Sequence, residues 1–304
     1  MEAVEAQAVV EPEEDASHQE EQEEEAQRRQ PQHASHRSIS ALGPTDEGRM
    51  NLSAEEHEWA LAIKEALMAN PELEDKPSDF MIAQLAIVHH NDIETAMETA
   101  FRIQETREQY KIRDTYQDAY EKLTRSLELH YGTHMYFGFN HEEARYVAVF
   151  DIGRFDSRVS MNPRNAEYCF GGGWYCYHAM SPDFESVRRG AIILMECQGY
   201  DWSQRQVDLQ YAQRHWSDVA GVYPLMIHRF KCFHTPTVFN IVKAVCKRLI
   251  PSHIERSVQL GCQYNGRLDA LYLVPSVEAA RQRVLVRMLE CLQRRFAAEQ
   301  SFRL

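Results

Sequence analysis

Hydrophobic positions in the first half of the chain recur at helical spacing. In residues 53–71, Trp59, Ile63 and Leu67 fall one turn apart and Pro71 ends the run. Ser53, followed by Glu56 three residues later, makes a capping-box pattern ahead of it. A second helix is expected over "PSDFMIAQLAIVHH", with Ser78 as its N-cap. A third is expected over "NDIETAMETAFRIQETREQY", capped by Asn91 or Asp92, and "TYQDAYEKLTRSLELHYG" reads as a further helix. His89 and His90 close the second helix, where the dipole favours a cation.

The texture then changes. "ARYVAVFDIGRFD" gathers Tyr146, Val147, Val149 and Phe150 into a strand before Asp151 and Gly153. "PRNAEYCFGGGWYCYHAMSPDFESVRRG" reads as helical on its flanks, with Gly171–Gly173 interrupting it as a kink or turn. "AIILMECQGYD" is a continuous apolar run, the mark of a strand buried on both faces. A helix over "SQRQVDLQYAQRHWSDVAGVYP", a strand over "HRFKCFHT" and another over "IERSVQLG" follow. Ser276 caps a closing helix with Val284, Met288 and Leu292 on one face. Helices first, then strands alternating with helices, predict an α/β sheet domain behind a small helical domain.

One more helix is expected between the last two strands. Thr235 can cap it, Pro236 suits its first position and Pro251 sets its end. At about 100° per residue, Val238, Phe239, Ile241, Val242, Val245, Cys246, Leu249 and Ile250 share one half of the wheel. Asn240, Lys243, Ala244, Lys247 and Arg248 share the other. Three cations without an anion suit an anionic surface, at roughly 1 kcal/mol per well-placed cation near anionic lipid.

That basic face sits in a protein of formal net charge -13. Residues 1–50 hold thirteen Asp/Glu and four Lys/Arg, a balance of -9, so the remainder carries only -4. The Glu/Gln-rich segment is too poor in apolar residues to fold and is expected to be a disordered acidic tail. The charge argues against a general nucleic-acid binder. The acidic N-terminus lacks an apolar signal region, and no apolar run approaches the roughly 20 residues of a membrane span. Seven scattered cysteines without a CxxC pair read as reduced core thiols of a cytoplasmic protein. Cys169, Cys176 and His178 are the sharpest metal alternative, but no second ligand pair stands at finger spacing, so no metal or cofactor is expected. "FGGGWYCY" lacks the Lys-Ser/Thr of a phosphate loop, and no nucleophile–base or paired-carboxylate spacing points to an enzyme.

The stretch "YPLMIHRFKCFHTPTVFNIVKAVCKRLIPSHIERSVQLG" resembles the CRAL-TRIO lipid-binding domain. The likeness rests on the Tyr223-Pro224 turn, the strand at 228–234, Pro236, Phe239, "CKRLIP" and Gly261. "AIILMECQG", with Glu196 and Gly199, resembles an upstream strand of that family, and "RYVAVFDIGRFD" its first strand. "DFMIAQLAIVHHNDIETAMETAFRIQETRE" resembles its helical N-terminal companion, with Asp79, Asp92 and Ala96 in place. His234 stands where the family usually has Asn.

The resemblance implies a CRAL-TRIO-like mixed sheet flanked by helices, with a gate helix over an apolar cavity. It implies a carrier of a hydrophobic small molecule or lipid. Phe230, Cys232, His234, Phe239, Val242, Val245, Cys246 and Leu249 are the expected cavity residues. Lys243, Lys247, Arg248 and Arg256 are the expected contacts to an anionic membrane or phosphoinositide, which would make the protein peripherally membrane-associated. The alternative is a phosphoinositide-binding adaptor without lipid exchange. The expected boundaries are an acidic tail at 1–50, a helical domain at 51–125, a lipid-binding domain at 126–275 and a closing helix at 276–304.

Overall fold

In a computed structural model of the chain the N-terminal helices begin at their caps. Residues 39–40, 43, 47–130, 133–200, 205–235, 258–262, 268 and 276–304 are described. They belong to one unit, Ile39–Leu304; the other unit, Met1–Ser38, lies outside the described residues. Helix α1 (Ala54–Ala69) carries the complete capping box: Ser53 Oγ accepts from Glu56 N, and Glu56 Oε2 accepts from Ser53 N. Helix α2 (Asp79–His89) is capped by Ser78 and buried almost all round. Helix α3 (Ile93–Gln109) takes Asp92, not Asn91, as its cap, because Asp92 Oδ1 reaches Thr95 N at 3.0 Å. Helix α4 (Tyr116–Leu129) starts at Thr115.

The strands form one mixed sheet. Strand β1 (Ile39–Ser40) lies on its edge, followed by β2 (His134–Asn140), β3 (Arg145–Asp151), β4 (Ala191–Glu196), β5 (Ile227–Phe233) and β6 (Val258–Cys262), in that spatial order. The β1–β2 and β2–β3 pairs are antiparallel, and β3 to β6 are parallel. Strand β2 has no counterpart among the expected elements. Its "HMYFGFN" is buried on both faces, so alternation does not announce it. The overlooked signal is the turn after it, where Asn140 Oδ1 accepts from Glu142 N and Glu143 N between two aromatic runs.

Parallel strands require crossovers. Helices α5 (Ser157–Met161), α6 (Pro163–Met180) and α7 (Phe184–Arg189) connect β3 to β4. Helix α8 (Arg205–His215) and a π-turn (Trp216–Ala220) connect β4 to β5. Helix α9 (Val277–Ser301) closes the chain behind Ser276. One face of the sheet, with Phe137, Phe139, Tyr146, Ala148, Ile193, Phe230 and Cys232, packs into a core shared with α4, α6 and α9. The opposite face carries Tyr136, Val147, Val149 and Ile192, with Leu268 buried against them. Ile192 and Ile193 are both buried, so β4 is covered on both faces, as its sequence predicts.

The glycine triplet is neither a kink nor a turn. It lies inside α6, which runs unbroken through it. A Cβ on Gly171 would come within 2.6 Å of Lys122 Cδ, and one on Gly172 within 2.4 Å of Ser126 Cβ. The glycines let α6 approach α4 too closely for any side chain between them. Gly172→Ala is therefore expected to destabilise the protein by about 1–3 kcal/mol despite alanine's better helix propensity, as urea denaturation would measure.

Buried charge fixes the same contact. Lys122 is almost wholly buried, with Nζ 2.9 Å from Asp118 Oδ1 and 3.3 Å from Glu167 Oε1. Asp118 Oδ2 also accepts from Tyr175 Oη at 2.7 Å. N-terminal to α1, Arg49 makes a buried two-point contact with Asp183 at 3.0 Å, which anchors the start of α7.

Candidate functional site

The register places a row of side chains across the C-terminal ends of β3, β4 and β5 and the N-terminal end of the antiparallel β2. His134 pairs with Phe150, Phe150 with Met195, and Met195 with Cys232. One step back, Ala148, Ile193 and Phe230 form the buried row beneath. Phe150 and Met195 are only half-buried, although they belong to the core face. Tyr211 and Trp216, on the β4–β5 crossover, are half-buried against the same core. An aromatic chain runs through Phe155, Tyr211, His215 and Trp216 to Phe230, at centroid spacings from 4.7 to 6.3 Å. Asp208 holds α8 in position by accepting from Ser157 and Tyr200.

Three histidines border this row, and their surroundings favour the neutral form. Burial pushes His130 down to about 4, His134 to about 3 and His215 to about 4. His130 Nε2 lies 2.9 Å from Ser160 Oγ, and His215 Nε2 lies 3.2 Å from Tyr177 Oη. His134 stands edge-on to Phe150 at 5.0 Å. Cys232 and Cys197 are in thiol contact, and that hydrogen bond, together with burial, pushes the Cys197 thiol up. The row thus combines apolar surface with uncharged polar groups, a chemistry suited to burying an apolar body with a polar tip.

Of the residues expected to line a cavity, Phe230 and Cys232 lie in this assembly, buried on the core face of β5. His234 sits apart from them. Alternation would place it beside Cys232, but its φ of 49° ends the strand, and its Nδ1 lies 2.8 Å from Glu196 Oε1. Glu196 is fully buried, and its Oε1 also accepts from Gln198 N at 2.9 Å. Phe239, Lys243, Val242, Val245, Cys246, Lys247, Arg248, Leu249 and Arg256, and with them the expected gate helix, lie outside the described residues. Cys169, Cys176 and His178 are all buried on α6, where burial pushes the two thiols up to about 11 and about 12. The expected list lacks Phe150, Met195, Tyr211 and Trp216. Phe150 and Met195 become neighbours only when β3 and β4 pair, and Tyr211 and Trp216 join the same core only through the β4–β5 crossover.

Among the described residues no helix is long and apolar enough to cross a membrane. No family model matches the chain, and no curated protein matches it. Among solved structures the chain is similar to the crystal structure of Sfh5, with a TM-score of 0.47 and 12% identity over 69% of this chain and 82% of that one. A likeness of that strength carries no argument about what the chain binds.

Proposed function

We propose that the chain carries a hydrophobic small molecule or lipid in an internal cavity and meets anionic membranes through the segment that follows β5. The observation behind this reading is the row Phe150–Met195–Cys232 with Tyr211 and Trp216, half-open apolar surface at the C-terminal ends of parallel strands. Ligands of open α/β sheets bind at that end of the strands.

Topology supports the reading. Strands β5 and β6 are parallel neighbours, and in the proposal the segment between them is a crossover of the kind parallel neighbours require. Right-handed crossovers along a sheet ordered β3-β4-β5-β6 run over the same face. That is the face of Phe230 and Cys232. In the proposal Phe239, Val242, Val245, Cys246 and Leu249 close over the row, and Lys243, Lys247, Arg248 and Arg256 face anionic lipid. A ligand burying about 400 Å² of apolar surface would gain roughly 10 kcal/mol before the costs of association.

Native mass spectrometry of gently purified protein tests the reading. A co-purifying hydrophobic ligand is expected, with occupancy reduced at least about tenfold in Met195→Lys, which places a charge in the row. Protein that stays empty and takes up no labelled lipid overturns it. Binding to phosphoinositide vesicles that Lys243→Glu with Lys247→Glu abolishes, without any lipid exchange, would identify an adaptor instead.

A further inference from the structure

The opposite edge of the sheet carries a second set of groups, unrelated to the apolar row. Each of the three central strands is entered through arginine. Arg145 opens β3, Arg189 ends α7 just before β4, and His228-Arg229 follow Ile227 at the start of β5. Gly190 draws the last two together. Its φ is 73°, and a Cβ there would meet Met226 O at 2.7 Å and His228 N at 3.0 Å, so only glycine lets the α7 end lie this close to β5.

Arg145 is the fixed member. Its Nε donates to Arg189 O at 2.9 Å and its Nη1 to Glu143 O at 2.9 Å. Both partners are carbonyls, which hold the guanidinium without neutralising it. Arg229 Nη1 reaches Glu143 Oε1 at 3.0 Å, and Arg189 Nε reaches Glu185 Oε1 at 2.6 Å. Arg188 shares Glu185 with Arg189 and turns its other bonds to Glu56 and Asn51 O. Among the described residues this end of the sheet therefore gathers three guanidiniums, Arg145, Arg189 and Arg229, against two carboxylates, Glu143 and Glu185. Arg145 feels the crowding: burial comes first, and the charges of Arg189 and Arg229 add to it, in lowering its proton affinity, against the pull of Glu143. Burial, Arg145 and Arg229 do the same to exposed His228.

We propose that this edge is a binding site for a phosphate group, with Arg145 as the fixed anchor and Arg229 and Arg189 as arms that exchange Glu143 and Glu185 for phosphate oxygens. Guanidinium matches a tetrahedral oxyanion in shape and can bind it through two parallel bonds. Glu143 serves as the internal stand-in while the site is free. An acidic peptide would bring carboxylates of the kind already present, whereas a phosphate dianion brings two charges to a place where, among the described residues, guanidiniums outnumber carboxylates.

The test uses the full chain, with the imidazole signal of His228 assigned through His228→Gln. Titration with inorganic phosphate at constant ionic strength should shift that signal saturably and raise the pH at which His228 titrates. Arg145→Gln and, separately, Arg229→Gln should weaken the response at least about tenfold at an unchanged melting temperature. A parallel arm measures flotation with phosphatidic acid vesicles against phosphatidylcholine vesicles. Response to inorganic phosphate assigns the site to soluble phosphate esters. Flotation alone, lost in both arginine variants, assigns it to a lipid phosphate. No response in either arm, or a response that survives both variants, overturns the proposal.

Discussion

Acidification from about pH 7 to about pH 5 is expected to cost the fold roughly 3–6 kcal/mol through His130, His134 and His215. Each sits neutral at the edge of the apolar row, with burial holding it to about 4, about 3 and about 4. In the unfolded chain each returns to about 6.5. Falling pH therefore protonates the unfolded chain first, and stability drops from about 6.5 until the folded values near 4 are reached. By pH 5 each histidine contributes roughly 1–2 kcal/mol of that loss, the lower figure suiting the partly exposed His134 and His215. Asp114 adds a separate loss in more acid solution. Burial pushes its carboxyl up, but His178, Arg107 and Arg295 together hold it well below the carboxylate range. Urea denaturation at a series of pH values, followed by tryptophan fluorescence, measures both windows. Stability that stays flat from pH 7 to pH 5 would contradict the assignment, and His134→Phe should reduce the slope.

The second large effect is expected at Arg295. Its side chain is fully buried in α9. Nη1 donates to Ser181 O and Nη2 to Gln84 Oε1, each at 2.9 Å, and the guanidinium lies 4.6 Å over the Phe80 ring. One side chain thus ties α9 to the end of α6 and to α2. Arg295→Met keeps most of the volume but strands a buried carbonyl and a buried amide, so a loss of about 3–5 kcal/mol is expected. Adding Gln84→Leu should restore part of it, because an apolar pair leaves fewer orphaned groups. A double variant no more stable than Arg295→Met would show that the packing of α9, rather than the hydrogen bonds, carries the effect.

Local chemistry was legible wherever a short stretch decides its own conformation. Ser53, Ser78 and Ser276 cap the helices that their positions predict, and Asp92 is one of the two caps expected for α3, since a cap needs only backbone amides two or three residues away. The strands over 145–151, 191–196 and 227–233 were also readable, from compact apolar runs bounded by turn residues. Strand β2 was not readable, because burial on both faces removes the alternation that marks a strand. Nor was the role of Gly171 and Gly172, which depends on how near α4 lies rather than on anything within α6.

The candidate site divides the same way. Phe230 and Cys232 share a face by the two-residue period of any strand, so the sequence alone was enough to pair them. His234 follows the same count but leaves it through a left-handed φ and meets Glu196, 38 residues earlier. The row His134–Phe150–Met195–Cys232 joins four strands, and the cluster Arg145–Arg189–Arg229 joins three segments at the other edge. By itself, then, the sequence determined the elements, their caps and the alternating α/β order, because those follow from neighbours along the chain. Strand order and register, settled only by tertiary packing, decided which side chains meet, because a shift of one residue would turn every one of them to the opposite face.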